Sequence, residues 1–175
     1  MKKNTGFTLI ELIITVTIAA IVMAIGIPSF RETINRNRLT TATNELVGAL
    51  NLSRSEAIKR GVRVTLCPSS GADCETVGYE KGWIVFNDLN NNAKLDTGET
   101  VIRVFGKLAD GITLTGNSNV DTYISYTGDG VSRLNSGAFQ AGTLTICKDG
   151  KARKIVLSSP GRLRTESSPN DFTCP

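Results

Sequence analysis

From Phe7 to Ile27 the chain runs through 21 residues that carry a single charge, Glu11. Coiled as an α-helix, a segment of that length rises roughly 31 Å, enough to cross a hydrocarbon core. Lys2 and Lys3 precede it and hold that end in the cytoplasm, so the pattern predicts an N-in, C-out anchor. Beyond Pro28 the apolar positions thin out to Phe30, Ile34, Leu39, Ala42, Leu46, Ala49, Leu50, Ser53 and Ala57, three to five residues apart. That spacing predicts an amphipathic continuation of the helix over residues 28–61, one face packed on a domain and Gly61 placed as its C-cap. Arg31, Arg36, Arg38, Glu45, Arg54, Glu56, Lys59 and Arg60 mark the opposite face. Anchor and continuation together make a helix of roughly fifty residues, about 80 Å long if unbroken.

At Val62 the period changes to two. Val62–Cys67, Trp83–Phe86, Val101–Phe105, Ile112–Leu114, Tyr123–Tyr126, Thr143–Cys147 and Lys154–Leu157 read as strands, punctuated by Gly and Asn clusters. No long helical pattern returns, which predicts a β-rich head over residues 62–175 packed on the second half of the helix. Neither a fixed-period repeat nor a low-complexity linker interrupts it, so the head is expected to be one domain.

Composition narrows the chemistry. The 175 residues contain no His, which removes Ser-His-Asp and Cys-His catalysis, His-ligated zinc and the imidazole pH switch together. The acidic residues show no spacing that fixes a carboxylate pair, and no Gly-rich loop opens a helix, so a non-enzymatic protein without cofactors is expected. The formal charge of +4 is small, and a basic function has to be local. An ordinary secretory signal is one reading of the start, with Ala24-Ile25-Gly26 as a small-x-small cutting site. Glu11 argues against it: a carboxylate within an apolar span costs a few kcal/mol unless it finds a partner, so it needs a purpose.

Gly6, the following Phe7-Thr8-Leu9-Ile10-Glu11-Leu12, the apolar helix and Pro28 together resemble the class III signal of type IV pilins and type II secretion pseudopilins. The resemblance implies a leader of residues 1–6, cut by a prepilin peptidase between Gly6 and Phe7, and N-methylation of Phe7. It also implies an assembly role for Glu11, whose carboxylate takes the freed α-amine of a neighbouring subunit as its counter-charge. Pro28 sits where such helices bend or locally melt. The head from Ala42 to Cys174 is similar to the GspH/FimT domain. The implied fold is α+β and pilin-like, a long N-terminal helix whose first half, residues 7–27, spans the membrane and whose second half packs on an antiparallel β head of two sheets.

Four Cys on the far side of a membrane predict two disulfides. Three pairings are possible. Cys67 with Cys74 and Cys147 with Cys174 is the favoured one, because it closes a short loop after the first strand and ties a Ser-, Pro- and Gly-rich tail back to the sheet.

Two polar stretches are candidate sites. Asp88, Asn90, Asn92, Asp96 and Glu99 have calcium-loop spacing, but Ala93 stands where such a loop needs Gly and the flanks read as strands, so a polar connection is the stronger expectation. In the tail, Lys148, Lys151, Arg153, Lys154, Arg162 and Arg164 meet only Asp149 before Glu166. Gly161-Arg162-Leu163-Arg164 puts two guanidinium groups on one side of an extended segment, suited to successive phosphates. The four residues are similar to the Gly-Arg-x-Arg tail motif of FimT-type minor pilins, which bind DNA during natural transformation. An Arg pair that stabilises the fold or a neighbouring subunit is the plain alternative.

The expectation is therefore a minor type IV pilin, inserted in the inner membrane with its head in the periplasm and then assembled into or at the tip of an extracellular pilus. Its expected partners are major and minor pilins, the prepilin peptidase, and double-stranded DNA bound through phosphates without sequence preference. The alternative is the minor pseudopilin H of a type II secretion system, because the two systems share signal and fold.

Overall fold

The computed structural model describes residues 7–71, 73–167 and 174 of the chain. Among the described residues one α-helix, α1 (Leu9–Arg60), is followed by strands β1 (Val64–Pro68), β2 (Trp83–Asn87), β3 (Val101–Phe105), β4 (Thr113–Gly116), β5 (Ile124–Tyr126), β6 (Gly142–Lys148), β7 (Lys151–Leu157) and β8 (Leu163–Ser167), with a short 3-10 helix, Tyr79–Lys81, between β1 and β2. The chain divides into two compact units, one ending at Asn37 and one beginning at Arg38.

In the first unit every described residue except Asn35 is exposed, including Phe30 and Ile34. The amphipathic stripe expected from Phe30 onward therefore begins later, at Leu39. The helix opens on a capping box: Thr8 Oγ1 accepts from the Glu11 N–H at 3.3 Å, while the Glu11 carboxylate accepts from the Thr8 N–H and hydroxyl, both at 2.9 Å. It then passes through Pro28 without interruption.

The second unit contains the core. Leu39, Ala42, Leu46, Ala49, Leu50 and Ala57 are buried at helical spacing. Two buried hydroxyls between them are satisfied one turn back, Thr43 on the Leu39 carbonyl at 2.7 Å and Ser53 on the Ala49 carbonyl at 2.9 Å. Gly61 ends the helix at φ 67°, its N–H bonded to the Ala57 carbonyl.

Both sheets are antiparallel and four-stranded, in the orders β3-β2-β1-β5 and β4-β6-β7-β8. The first is covered on both faces at β1 and most of β2, while its edge strand β3 stays partly exposed. Val64, Leu66, Trp83 and Val85 face the main core, while Cys67, Ile84 and Phe86 form a second cluster with Leu95, Tyr123 and Cys74. That second cluster explains why all of β1 and nearly all of β2 are buried, although an antiparallel sheet often leaves one face wet.

The second sheet is one-sided except where Cys147 and Ala152, on the alternation of Thr145 and Lys154, are buried at one end. Leu114, Leu144, Ile146, Ile155 and Leu157 are buried in the main core, with Leu163 packed at its margin. The other face presents Thr115, Thr143, Thr145, Lys154, Arg164 and Glu166, placed there by the registers Thr115↔Thr145, Thr145↔Lys154, Lys154↔Glu166 and Val156↔Arg164.

Candidate functional site

Lysines and arginines of the C-terminal region are sorted by strand register. Lys148, Lys151 and Arg153 share the alternation of Ile146 and Ile155, the core-facing set, whereas Lys154 and Arg164 belong to the solvent-facing set. Lys148 is buried. Its ammonium donates to the Asp110 carbonyl at 3.1 Å and pairs with Asp149 at 3.6 Å. The Lys107 ammonium beside Asp110 in turn holds that carboxyl below the usual carboxylate range. Lys148 is thus committed to the fold, which corrects the expectation that it belongs to an exposed basic set. Lys151, Arg153 and Lys154 are all half-buried, the first two on the core-facing alternation and Lys154 on the other.

Arg162 and Arg164 are exposed, and how they are held is informative. Ser158 and Arg162 close the β7–β8 turn through the Ser158 N–H on the Arg162 carbonyl, with Gly161 N–H on the Ser158 carbonyl at 2.8 Å. Gly161 adopts φ 77°, and a Cβ there would meet the Gly130 carbonyl oxygen at 2.7 Å and the Tyr126 ring at 3.0 Å. The first residue of the Gly-Arg-Leu-Arg stretch is therefore required both by its backbone angle and by the space it leaves.

From the helix, Arg54 reaches the same turn and donates from Nη1 to the Gly161 carbonyl at 3.1 Å and from Nη2 to the Pro160 carbonyl at 3.2 Å. The Ser132 hydroxyl donates to the Gln140 carbonyl at 2.7 Å, and its oxygen lies 3.3 and 3.4 Å from the Ser158 and Ser159 carbonyls. The loop carrying Gly130 is itself braced by Asp129. Its carboxylate accepts from the Thr127 hydroxyl at 2.5 Å and the Val131 N–H at 3.3 Å, and those bonds hold it below the usual carboxylate range. The sequence pattern marks Arg54 only as a surface charge, and its carbonyl partners 106 and 107 residues away reveal its role. Arg54→Ala is expected to remove about 1–2 kcal/mol of head stability. It is also expected to raise hydrogen exchange at the Gly161 amide, as read by exchange mass spectrometry. An unchanged exchange rate would mean that the turn holds itself.

Leu163 separates the two arginines and turns toward the core, so Arg162 and Arg164 are presented together at the start of an edge strand. Arg164 Nη2 contacts Glu166 Oε1 at 2.5 Å.

The Asp88–Glu99 stretch is built differently from an open metal loop. Asp88 is buried, its carboxylate accepting from the Thr65 hydroxyl at 2.9 Å and from the Asn92 and Ala93 N–H groups at 3.0 Å. Asp96 accepts from the Asn90 and Asn92 amides, which hold its carboxyl below the usual range. Glu99 accepts from the Leu89 and Asp96 N–H groups. Ala93 takes φ 58°, the left-handed conformation for which Gly is the usual choice. Among the described residues no group of three or more acidic, Cys or His side chains is arranged to hold a metal ion. The loop is a cover: its Leu95 seals the second cluster over β1 and β2.

The disulfides are Cys67–Cys74 and Cys147–Cys174, the favoured pairing. Gly6 lies outside the described residues, and Phe7 stands exposed just ahead of α1. By length and composition α1 can cross a membrane, the only such helix among the described residues.

Comparison with known proteins agrees with this arrangement. Residues 42–161 match the model of the family described as Type II transport protein GspH, and residues 1–27 match the prokaryotic N-terminal methylation motif. A fimbrial protein of Pseudomonas aeruginosa is 35% identical over 94 residues, 54% of this chain, and the chain spans only 58% of that relative's length. The pilin-like protein PilA1 of Thermus thermophilus is 28% identical over 165 residues, covering 92% of this chain and 97% of its own. Among solved structures, the type IV minor pilin FimU of Pseudomonas aeruginosa superposes with TM-score 0.56 at 22% identity, over 79% of this chain and 94% of its own. The minor pseudopilin EpsH of the Vibrio cholerae type 2 secretion system does so with TM-score 0.53 at 13% identity, over 77% and 99%.

Proposed function

We propose, from the premise that this chain belongs to the GspH family and is a minor pilin or pseudopilin carrying the N-terminal methylation motif, that it serves a type IV pilus and captures DNA there. In this reading a prepilin peptidase cuts between Gly6 and Phe7, Phe7 is N-methylated, and the apolar helix holds the subunit in the inner membrane until it joins the filament. The fimbrial and pilin-like sequence relatives support the pilus over a secretion system. Association with other pilins follows from the family. Glu11, whose carboxylate stays within the Thr8 capping box in the isolated subunit, exchanges that partner for the α-amine of a neighbour on assembly.

DNA capture rests on one observation. The Arg162 and Arg164 side chains are exposed at the turn and at the start of the strand it opens, and the turn is held from two sides, by Arg54 and by the packing of Gly161. A backbone fixed before binding leaves only side-chain freedom to be lost when the two arginines meet a phosphate backbone. Recognition is of phosphates, so binding is insensitive to base sequence.

A gel-shift titration of the disulfide-bonded full chain in neutral detergent, against random duplex DNA at two salt concentrations, tests this. Wild type binds with a salt-dependent affinity. Arg162→Ala/Arg164→Ala weakens binding, and its log-log salt slope is shallower by about one for each phosphate that is no longer neutralised. A folded wild type that fails to bind at low salt refutes DNA capture and leaves a structural role.

The second reading is a pseudopilin of a type II secretion system, favoured by the family's description and by the EpsH likeness. On that reading the Arg pair serves the filament, and the same double substitution alters assembly without any DNA phenotype.

A further inference from the structure

The open face of the second sheet carries a groove of about 620 Å³ that the Gly-Arg-Leu-Arg stretch alone does not explain. Thr115, Thr143, Thr145, Lys154, Arg164 and Glu166 line it, drawn from all four strands of that sheet. We propose that this groove is the bed for one phosphodiester strand of the captured duplex, with Lys154 and Arg164 neutralising phosphates and the threonine hydroxyls donating to backbone oxygens; this rests on the DNA-capture reading above.

The placement carries the proposal. Lys154 lies opposite both Thr145 and Glu166, and Arg164 lies opposite Val156, so the two cations sit on neighbouring strands two residues out of register. Diagonal neighbours of that kind are about 7–8 Å apart, a separation at which two long cationic side chains address different groups of one passing strand. Thr115, Thr143 and Thr145 are solvent-facing on β4 and β6, and each hydroxyl can rotate to donate. A face with neutral donors at one side and cations at the other matches the way proteins hold sugar-phosphate backbone without reading bases.

Glu166 sets the strength of the site. It takes one amino group of Arg164, fixing the guanidinium along β8, while Arg164 keeps Nε and Nη1 as donors. Its carboxylate also shares the groove with its register partner Lys154, and there it opposes an incoming phosphate. Lys154 and Arg164 draw polyanions to the groove, Glu166 tempers that attraction, and binding weakens as salt rises. Arg162, two residues ahead of Arg164, extends the positive charge beyond the groove to the turn.

Fluorescence anisotropy of a labelled random duplex, with the disulfide-bonded full chain in neutral detergent, separates the contributions. Thr143→Val/Thr145→Val keeps shape and strand preference and removes only hydroxyls. It is expected to weaken binding about tenfold with the salt slope unchanged. Lys154→Gln is expected to make the slope shallower by about one. Glu166→Gln, at an edge-strand position, is the variant that does not depend on the sheet tolerating a core-adjacent change, and it is expected to tighten binding several-fold at low salt. Wild-type affinity in the threonine double variant, or unaltered binding in Glu166→Gln, places the DNA on the turn alone and overturns the groove. If wild type itself does not bind, the DNA reading fails, and the two failures are told apart by that single control.

Discussion

Replacing Arg63 by Met will lower the melting temperature of the disulfide-bonded chain by roughly 10 °C, corresponding to about 3 kcal/mol for a domain of this size. Arg63 is buried between β1 and the connections that flank it. Its Nε donates to Asn91 Oδ1 at 2.9 Å, Nη1 to Ser125 Oγ at 2.8 Å and to the Arg133 carbonyl at 3.0 Å, and Nη2 reaches the Leu134 carbonyl at 3.4 Å. One planar group thus joins the 88–99 cover, β5 and the chain after it. All four acceptors are neutral, and each such bond from a charged donor is stronger than one between neutral groups. Met fills the volume of the stem and restores none of the four bonds. Lys keeps the charge but cannot fork to partners on three segments, so Arg63→Lys is expected to fall between wild type and Met. Thermal melts followed by circular dichroism decide this. A shift of less than about 2 °C for Arg63→Met would mean that water replaces the guanidinium without loss.

Substituting Gly161 by Ala joins stability to function, with an expected loss of about 2 kcal/mol and of DNA affinity together. The φ of 77° costs an Ala about 1 kcal/mol or more. The added Cβ meets the Gly130 carbonyl oxygen, which is backbone and cannot rotate aside, so the turn has to shift. Shifting it moves the Gly161 carbonyl off Arg54 and reorients Arg162. Gly161→Asn separates the two causes, because Asn tolerates the left-handed region but still carries a Cβ. Equal damage from Ala and Asn assigns the effect to space, and milder damage from Asn assigns it to the backbone angle. DNA affinity at wild-type level in a destabilised Gly161→Ala would show that the turn's geometry does not matter for capture.

Much of the fold is legible from patterning. The apolar run, the helically spaced stripe from Leu39 to Ala57 and the Gly61 cap mark α1, and seven of the eight strands among the described residues lie where alternation puts them. The eighth, β8, is hidden because its residues Leu163–Ser167 carry one apolar side chain among polar ones. Its strand character comes from pairing with β7, which no local signal reports. The capping box is present in the sequence as Thr8-x-x-Glu11 ahead of an apolar run, but the charge of Glu11 within that run is the louder signal and masks it.

The candidate site divides along the same line. Sequence locates a basic region and a Gly-Arg-Leu-Arg stretch, since charge and residue type are properties of the chain. Which of those cations face solvent is decided by register: Lys148 and Lys154 are similar in sequence, yet one bonds the Asp110 carbonyl and the other lines an open groove. Likewise Arg63 stands in a strand-like alternation that suggests exposure, and its burial comes from a cover loop folding over the second face of the first sheet. Amphipathic period, anchor length, cysteine count and the processing motif are local quantities, and the amino-acid order alone determines them. Strand pairing, the bracing of the β7–β8 turn by Arg54 and the inward turn of Asp88 depend on groups brought together from distant segments. Their free energy exists only once the core has closed and water has left, so only the tertiary structure could decide them.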